Sequence, residues 1–393
     1  MAPQPERKRS LRDRRLYLNY SAFYFFYFAA WGIFAPYFPL YLKSLGMGGA
    51  EIAILLALGP LSRFLFPALW GLWADRVGHR KELVVGSLAG SCAVFTALFW
   101  SRHIAAVAAI LFLYGFLLAP AVPLVEGMVQ EETDRRRFTY GPVRLWGSLG
   151  FIFSTMCYGT LLDRLPVVWV LAGILLFSAL NVLSATRLPA GTGGDSHPRR
   201  SLRRAVLRPE ILRFLAASTL MQASHGAYYA YFSLHLDRHG FTRTAIGLYW
   251  TLAVASEILL MLVSAKLLRT AGPSRLISVS LGAAAIRWLL LSQGIDPRLL
   301  ALAQVLHAFS FGLFHVAAVN ATHRLFPPAL RSSGQSLYNS LTYGLGNLIG
   351  LFGCAVLVDS VGIRGLFGLS AALAVVALLI ALRLPPEPSS PEG

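Results

Sequence analysis

Apolar residues run through this chain in long blocks, not in stripes of period 2 or 3.6. Leu16–Leu42, Ile104–Leu124 and Leu366–Leu382 are the clearest. Each is about long enough for a helix to cross a hydrocarbon core of roughly 30 Å. Lipid offers the backbone no hydrogen bonds, so runs of this length specify helices that satisfy themselves internally. A membrane β-barrel would show short alternating strands instead. Breakers such as Gly46-Met47-Gly48-Gly49 and Asp296-Pro297 punctuate the blocks. Twelve helices are predicted, near 16–45, 50–71, 82–101, 103–129, 139–162, 165–186, 211–236, 243–268, 274–293, 297–322, 332–357 and 362–384.

Composition agrees with that pattern. The chain is 56% hydrophobic and 13% charged, against about 25% charged in a soluble domain. A net charge of +17 raises the question of nucleic acid, but Lys and Arg recur in alternate loops, which is topology information and not a groove-binding patch. One side of the bilayer collects 25 of them and the other seven. The positive-inside rule then places both termini and the long central loop in the cytoplasm. Cys92, Cys157 and Cys354 all fall inside apolar segments and read as packing residues.

The central loop, RLPAGTGGDSHPRRSLRR, reads as a solvated linker between two halves. The expected organisation is a cytoplasmic tail (1–15), a six-helix bundle (16–186), a cytoplasmic linker (187–210), a second six-helix bundle (211–384) and a disordered cytoplasmic tail (385–393). The halves echo each other at an offset of roughly 193–196 residues: GLWADRVGHRK faces SAKLLRTAGPSR, and RRRFTYGPVRLWGSLG faces RSSGQSLYNSLTYGLG. Parallel repeats of this kind place a site between the halves, near the bilayer midplane.

Charges inside the membrane are costly and are functional candidates by default. Arg63, Glu126, Arg144, Glu257 and Arg287 form that set. Glu126 and Arg144 fall at similar depth on antiparallel neighbours, which predicts an ion pair, and Glu257 and Arg287 both fall near the midplane. Arg63 has no obvious carboxylate partner on its own helix and suits bidentate recognition of a substrate carboxylate. His225, His307 and His315 matter because proton-driven transport needs groups that titrate near neutral pH. His307, Phe311 and His315 stand at i, i+4 and i+8 and share roughly one face. The SHGAYYAYF stretch, with His225, Tyr228 and Tyr229, reads as a cavity wall, and Pro36, Pro39, Pro60, Pro120 and Pro123 as kink sites. No metal-ligand spacing appears, nor acidic pairs or a nucleophile with a partnered base, so an enzyme is not expected.

Gly71-Leu-Trp-Ala-Asp75-Arg76-Val-Gly78-His-Arg80-Lys81 is the most specific motif. Gly71 and Gly78 permit close packing and a tight turn, Asp75 suits a helix N-terminus or an Arg, and the basic residues hold the loop at the cytoplasmic face. It resembles the helix 2–3 loop signature of the major facilitator superfamily. That likeness implies a conformational latch formed by Gly71, Asp75, Arg76, Gly78, Arg80 and Lys81.

Nearly the whole chain resembles a proton-coupled branch of that superfamily. YFFYFAAWGIFAPYFPLYL, PAVPLVEGMV and FTYGPVRLWGSLG resemble lactose permease. The resemblance puts Glu126 and Arg144 in the places of a sugar-binding pair, and Glu257, Arg287 and His307 at positions tied to sugar binding and proton coupling. Ser310 stands where that family carries a proton-carrying glutamate, Gln304 replaces a lysine, and helix 7 has no intramembrane aspartate. The closer likeness is to the phenylpropionic acid transporter group, through SRFL around Arg63, SHGAYYAYF, LHAFSFGLFHVAAV and QSLYNSLTYGLG.

The resulting expectation is an all-α integral membrane protein of the major facilitator fold, in the inner membrane. It would be a secondary active transporter that imports a small aromatic carboxylate, such as 3-phenylpropionate, with protons by alternating access. Arg63, Glu126, Arg144, His225, Tyr228 and Tyr229 would bind substrate; Glu257, Arg287, His307 and His315 would couple the proton. No cofactor beyond H⁺ as coupling ion, no nucleic-acid partner and a monomer in the bilayer are expected. The rival readings are a sugar or nucleoside symporter, a drug-type exporter, and a membrane sensor without transport.

Overall fold

The computed structural model describes residues 11–66, 69–70, 73–74, 76, 78–135, 138–190 and 205–385. Twelve helices follow one another among them. In the first half, α1 is Leu11–Ser44, α2 Gly49–Leu65, α3 Arg80–Thr96, α5 Tyr140–Leu162 and α6 Trp169–Ala185. The fourth, α4, comes in two pieces, Ile104–Leu118 and Ala121–Asp134, with the break at Pro120. A proline removes one backbone donor and crowds the preceding turn, which accounts for that interruption. Pro36 and Pro39 lie inside α1 without breaking it.

The second half is more irregular. Helix α7 is Pro209–Ser224 followed by Gly226–Arg238, separated at His225. Helices α8 (243–271) and α9 (273–292) meet at Gly272, and α11 (331–361) meets α12 (363–381) at Gly362; both glycines have φ near +68°. Helix α10 runs from Pro297 to Leu325 and carries a π-helical stretch at Ala308–Leu313. A second π stretch, Ser340–Gly346, interrupts α11. Such bulges widen the helix by one residue and concentrate at functional sites.

Two helix starts fall inside segments expected as tail or linker. Helix α1 begins at Leu11, inside the segment expected as a tail, because RDRRLY continues the helix at the membrane edge, where the charged side chains stay in water. Helix α7 begins at Pro209, which supplies the preset φ of a first helical residue. Residues 191–204 and 386–393, most of the expected linker and tail, lie outside the described residues.

Small residues set the helix crossings. A Cβ on Gly32 of α1 would come within 2.6 Å of the Phe151 carbonyl oxygen on α5, and one on Gly226 of α7 within 2.7 Å of the Gly350 carbonyl oxygen on α11. Glycine at those positions lets the backbones touch, as membrane helices require when no hydrophobic effect drives them together. Helix α1 packs along α5 and α6 in the first half, and α7 along α11–α12 in the second. The internal repeat also has a geometric counterpart. Gly78 between α2 and α3, and Gly272 between α8 and α9, both turn the chain at φ +68°.

Contacts between the halves, among the described residues, gather toward the end opposite the basic loops. There α5 packs on α8, α2 on α11–α12, and α1 on α7. The described residues near the basic face, including the end of α4 and the loop before α11, make their most extensive packing within their own half. The two halves therefore meet most closely on the less basic face, and the partly exposed Arg63, Glu126 and Arg144 mark a cavity between them.

Candidate functional site

Five helices bring charge to the middle of this cavity. In the second half, Glu257 on α8 and His307 on α10 touch, with Glu257 Oε1 2.6 Å from His307 Nε2. The π stretch permits this approach, since a Cβ on Gly312 would lie only 3.3 Å from Glu257 Cγ. Arg287 on α9 is fully buried. Its Nε donates to the Ala303 carbonyl at 3.0 Å and its Nη1 to Ser310 Oγ at 3.4 Å. Its guanidinium lies 4.3 Å from the centre of the Tyr228 ring and 4.4 Å from that of Trp288. Two ring faces supply cation–π attraction in place of a carboxylate.

This arrangement explains the two departures noted in α10. Ser310, which the resemblance placed at the position of an acid, is the hydroxyl acceptor for Arg287. Gln304, which the resemblance placed at the position of a lysine, accepts the Tyr228 hydroxyl at 2.9 Å. Tyr228 is thus spent on a buried contact and does not front the cavity, contrary to the sequence expectation. His225 is likewise fully buried: its Nδ1 lies 2.9 Å from the Met221 carbonyl oxygen and its ring packs edge-on against Trp288. The break in α7 turns both side chains inward. Tyr229 stays half-buried and is the member of that trio closest to the cavity.

His307 and His315 do not share a partner. The π stretch lies between them, and His315 Nδ1 meets the Tyr343 hydroxyl of α11 at 2.8 Å while His307 meets Glu257. Tyr343 belongs to the second π stretch.

In the first half, the charged groups rest on aromatic rings. Arg63 lies 5.2 Å from the Trp31 ring centre, and Arg144 lies 4.1 Å from that of Phe28 and 5.7 Å from that of Tyr24. The expected Glu126–Arg144 ion pair is not formed among the described residues. Glu126 accepts the Tyr140 hydroxyl at 3.2 Å instead. The Phe28 ring, directly under Arg144, provides the competing partner. Arg144 remains within electrostatic reach of Glu257 and His315 in the opposite half, and Arg63 of Tyr229.

Among the motif residues, Gly71 and Asp75 lie outside the described residues. Arg76 is exposed, Gly78 makes the turn, and Lys81 is half-buried. Arg80 Nη1 binds Glu131 Oε1 at 2.6 Å, which ties α3 to the end of α4 within one half. Trp31, Phe28, Tyr140 and Tyr343 escaped sequence reasoning, because in an aromatic-rich membrane protein residue type alone does not tell a cavity ring from a lipid-facing one.

The comparisons with known proteins match this architecture. Residues 17–369 match the MFS_1 like family. The chain belongs to that family. It is 28% identical, over 75% of its length and 79% of the relative's, to a probable 3-phenylpropionic acid transporter of Escherichia coli (strain K12). It is 29% identical to the maltose permease of Geobacillus stearothermophilus, over 82% of this chain and 83% of that one. The crystal structure of the nucleoside transporter NupG superposes with a TM-score of 0.81 at 19% identity, covering 94% of this chain and 98% of that one. The fold is that of the major facilitator superfamily, and this MFS_1-like protein is a multi-pass membrane protein and a secondary transporter, not an enzyme.

Proposed function

We propose that this transporter is a proton-coupled symporter of the inner membrane that imports a small aromatic carboxylate such as 3-phenylpropionate, with both termini cytoplasmic. The charge balance of the cavity carries the reading. Three guanidiniums, Arg63, Arg144 and Arg287, face two carboxylates, Glu126 and Glu257. Glu257 is engaged with His307, while Arg63 rests on the Trp31 ring and, among the described residues, pairs with no carboxylate. A surplus cation in a low-dielectric cavity favours a monoanion, and a guanidinium backed by an indole offers a carboxylate its fork and an aromatic group a stacking surface.

Coupling follows from the same balance. Protonating Glu257 removes one negative charge and raises the positive surplus, which strengthens the hold on an anionic substrate. Releasing the proton weakens it. The Glu257–His307 contact gives that proton two adjacent sites within one hydrogen bond. Relatedness to a phenylpropionic acid transporter supports the substrate class, and relatedness to a maltose permease keeps sugars as the competing class.

The test is uptake of labelled 3-phenylpropionate into proteoliposomes with and without an inward proton gradient, for wild type and Arg63→Gln. Gradient-driven accumulation that fails in the variant is the expected result. Accumulation of maltose or a nucleoside, with none of the aromatic acid, would replace the substrate class. Uptake indifferent to the gradient would remove the proton.

A further inference from the structure

Asp163 ends α5 on the less basic face, far from the cavity charges in sequence and chemistry. Its carboxylate reaches into the other half. Asp163 Oδ1 accepts the Arg243 N–H at 2.6 Å, and Oδ2 accepts the Thr244 N–H at 3.1 Å and the Thr244 hydroxyl at 2.6 Å. Arg243 and Thr244 open α8, where backbone N–H groups have no acceptor within the helix. The cap residue of that helix, Thr242, takes the Ala245 N–H on its hydroxyl at 3.1 Å and the Ile246 N–H on its carbonyl at 3.0 Å. The remaining N–H groups of the first turn named here are met by a carboxylate from the opposite bundle.

The surroundings fit a closure made for release. Lys43 of α1 binds Asp237 of α7 at 2.8 Å, and Asp237 also binds Arg243 at 3.0 Å. The Tyr37 hydroxyl donates to the Thr155 carbonyl at 2.8 Å and approaches the Arg243 carbonyl at 3.3 Å. Below it, a Cβ on Gly159 would come within 2.9 Å of the Arg243 carbonyl oxygen, and one on Gly247 within 2.9 Å of the Thr155 carbonyl oxygen. Partial burial pushes the Asp163 carboxyl upward, but the hydrogen bonds from Thr244 and the two backbone N–H groups outweigh it and hold the group below the usual carboxylate range. The charge also lies favourably at the positive end of the helix dipole.

We infer that Asp163 is a positioning residue of the transport cycle: an N-cap for α8 supplied by the other half, satisfied only when the less basic face is closed. Separating the halves there breaks its three hydrogen bonds together and leaves the α8 N-terminus to water. The cap therefore sets how often that face opens. This rests on the fold and not on the substrate or the proton.

Accessibility of the cavity tests it without a known substrate. In protein whose Cys92, Cys157 and Cys354 are replaced by serine, Phe311→Cys places a reporter between His307 and His315. Its labelling by a membrane-impermeant maleimide is timed from the Asp163 side of oriented vesicles. Loss of one cap shifts a two-state equilibrium by about tenfold, so Asp163→Ala should speed labelling by about that factor. Asp163→Asn, which keeps an acceptor oxygen, should speed it less. Thr244→Ala, from the opposite half, should act in the same direction and add little to Asp163→Ala. Unchanged labelling in a well-folded Asp163→Ala protein overturns the proposal, as does full additivity with Thr244→Ala. If Asp163→Ala fails to fold, unchanged labelling in Thr244→Ala overturns it.

Discussion

The two halves handle charge in the membrane differently. Arg63, Glu126 and Arg144 in the first half remain half-exposed, the two guanidiniums resting on aromatic rings and Glu126 on a hydroxyl. Glu257, Arg287 and His307 in the second half are buried and tied into contacts with backbone, hydroxyl, ring and one another. The same duplicated helical unit has thus been put to two uses. Groups left open to the cavity can meet something that arrives from water. Groups sealed into a network can only exchange a proton or shift with their helices. Apart from the proline break in α4, the irregular backbone falls on the sealed side, with the break in α7 and both π stretches. Regular helix spacing does not by itself place a carboxylate, an imidazole and a guanidinium in such close company.

The sharpest way to break this contrast is to neutralise the sealed carboxylate. Glu257→Gln keeps a hydrogen-bond partner for His307 and should abolish gradient-driven accumulation while leaving substrate exchange intact. Loss of both would reduce Glu257 to a structural role. Next comes stability. Arg287→Ala vacates a buried site between two rings and should lower unfolding stability by about 2–4 kcal/mol, whereas Arg63→Ala, half-exposed, should change it by under about 1 kcal/mol. Chemical denaturation in detergent measures both, and equal effects would erase the contrast. For the open side, Arg63→Gln should raise KM for an aromatic acid roughly 10- to 100-fold, the value of one charge-assisted hydrogen bond.

Smaller effects sharpen the picture further. Glu126→Gln should leave KM for an aromatic acid within about threefold, since only a hydroxyl contact is altered; a large loss would move the reading toward sugars. The smallest effect expected is that of pH on the closed face. Asp163 is held below its ordinary value, so its contribution is fully present above that ordinary value and is lost only as pH falls through the lowered one. Because the reporter thiol itself reacts only as thiolate, the readout is the ratio of labelling in Asp163→Ala to labelling in wild type at each pH, which should be flat between roughly pH 5 and 8 and fall toward one only in acid below about 4.

Much of this protein was legible without coordinates. The length of the apolar blocks dictated helices, because lipid leaves the backbone no other partner. The alternation of basic loops, the twofold echo and the motif around Arg80 pointed to the superfamily, and burial cost singled out Arg63, Glu126, Arg144, Glu257 and Arg287. Depth counted along a helix is a one-dimensional quantity, however, and it put Glu126 and Arg144 at one level without saying which way either turned. The Phe28 and Tyr140 side chains decided that. The burial of His225 and Tyr228, the separate partners of His307 and His315, and the reach of Asp163 into α8 likewise depend on helix rotation, backbone bulges and contacts between residues far apart in the chain. The sequence determined which residues share a membrane and roughly how deep they lie. Packing in three dimensions alone determined which of them touch.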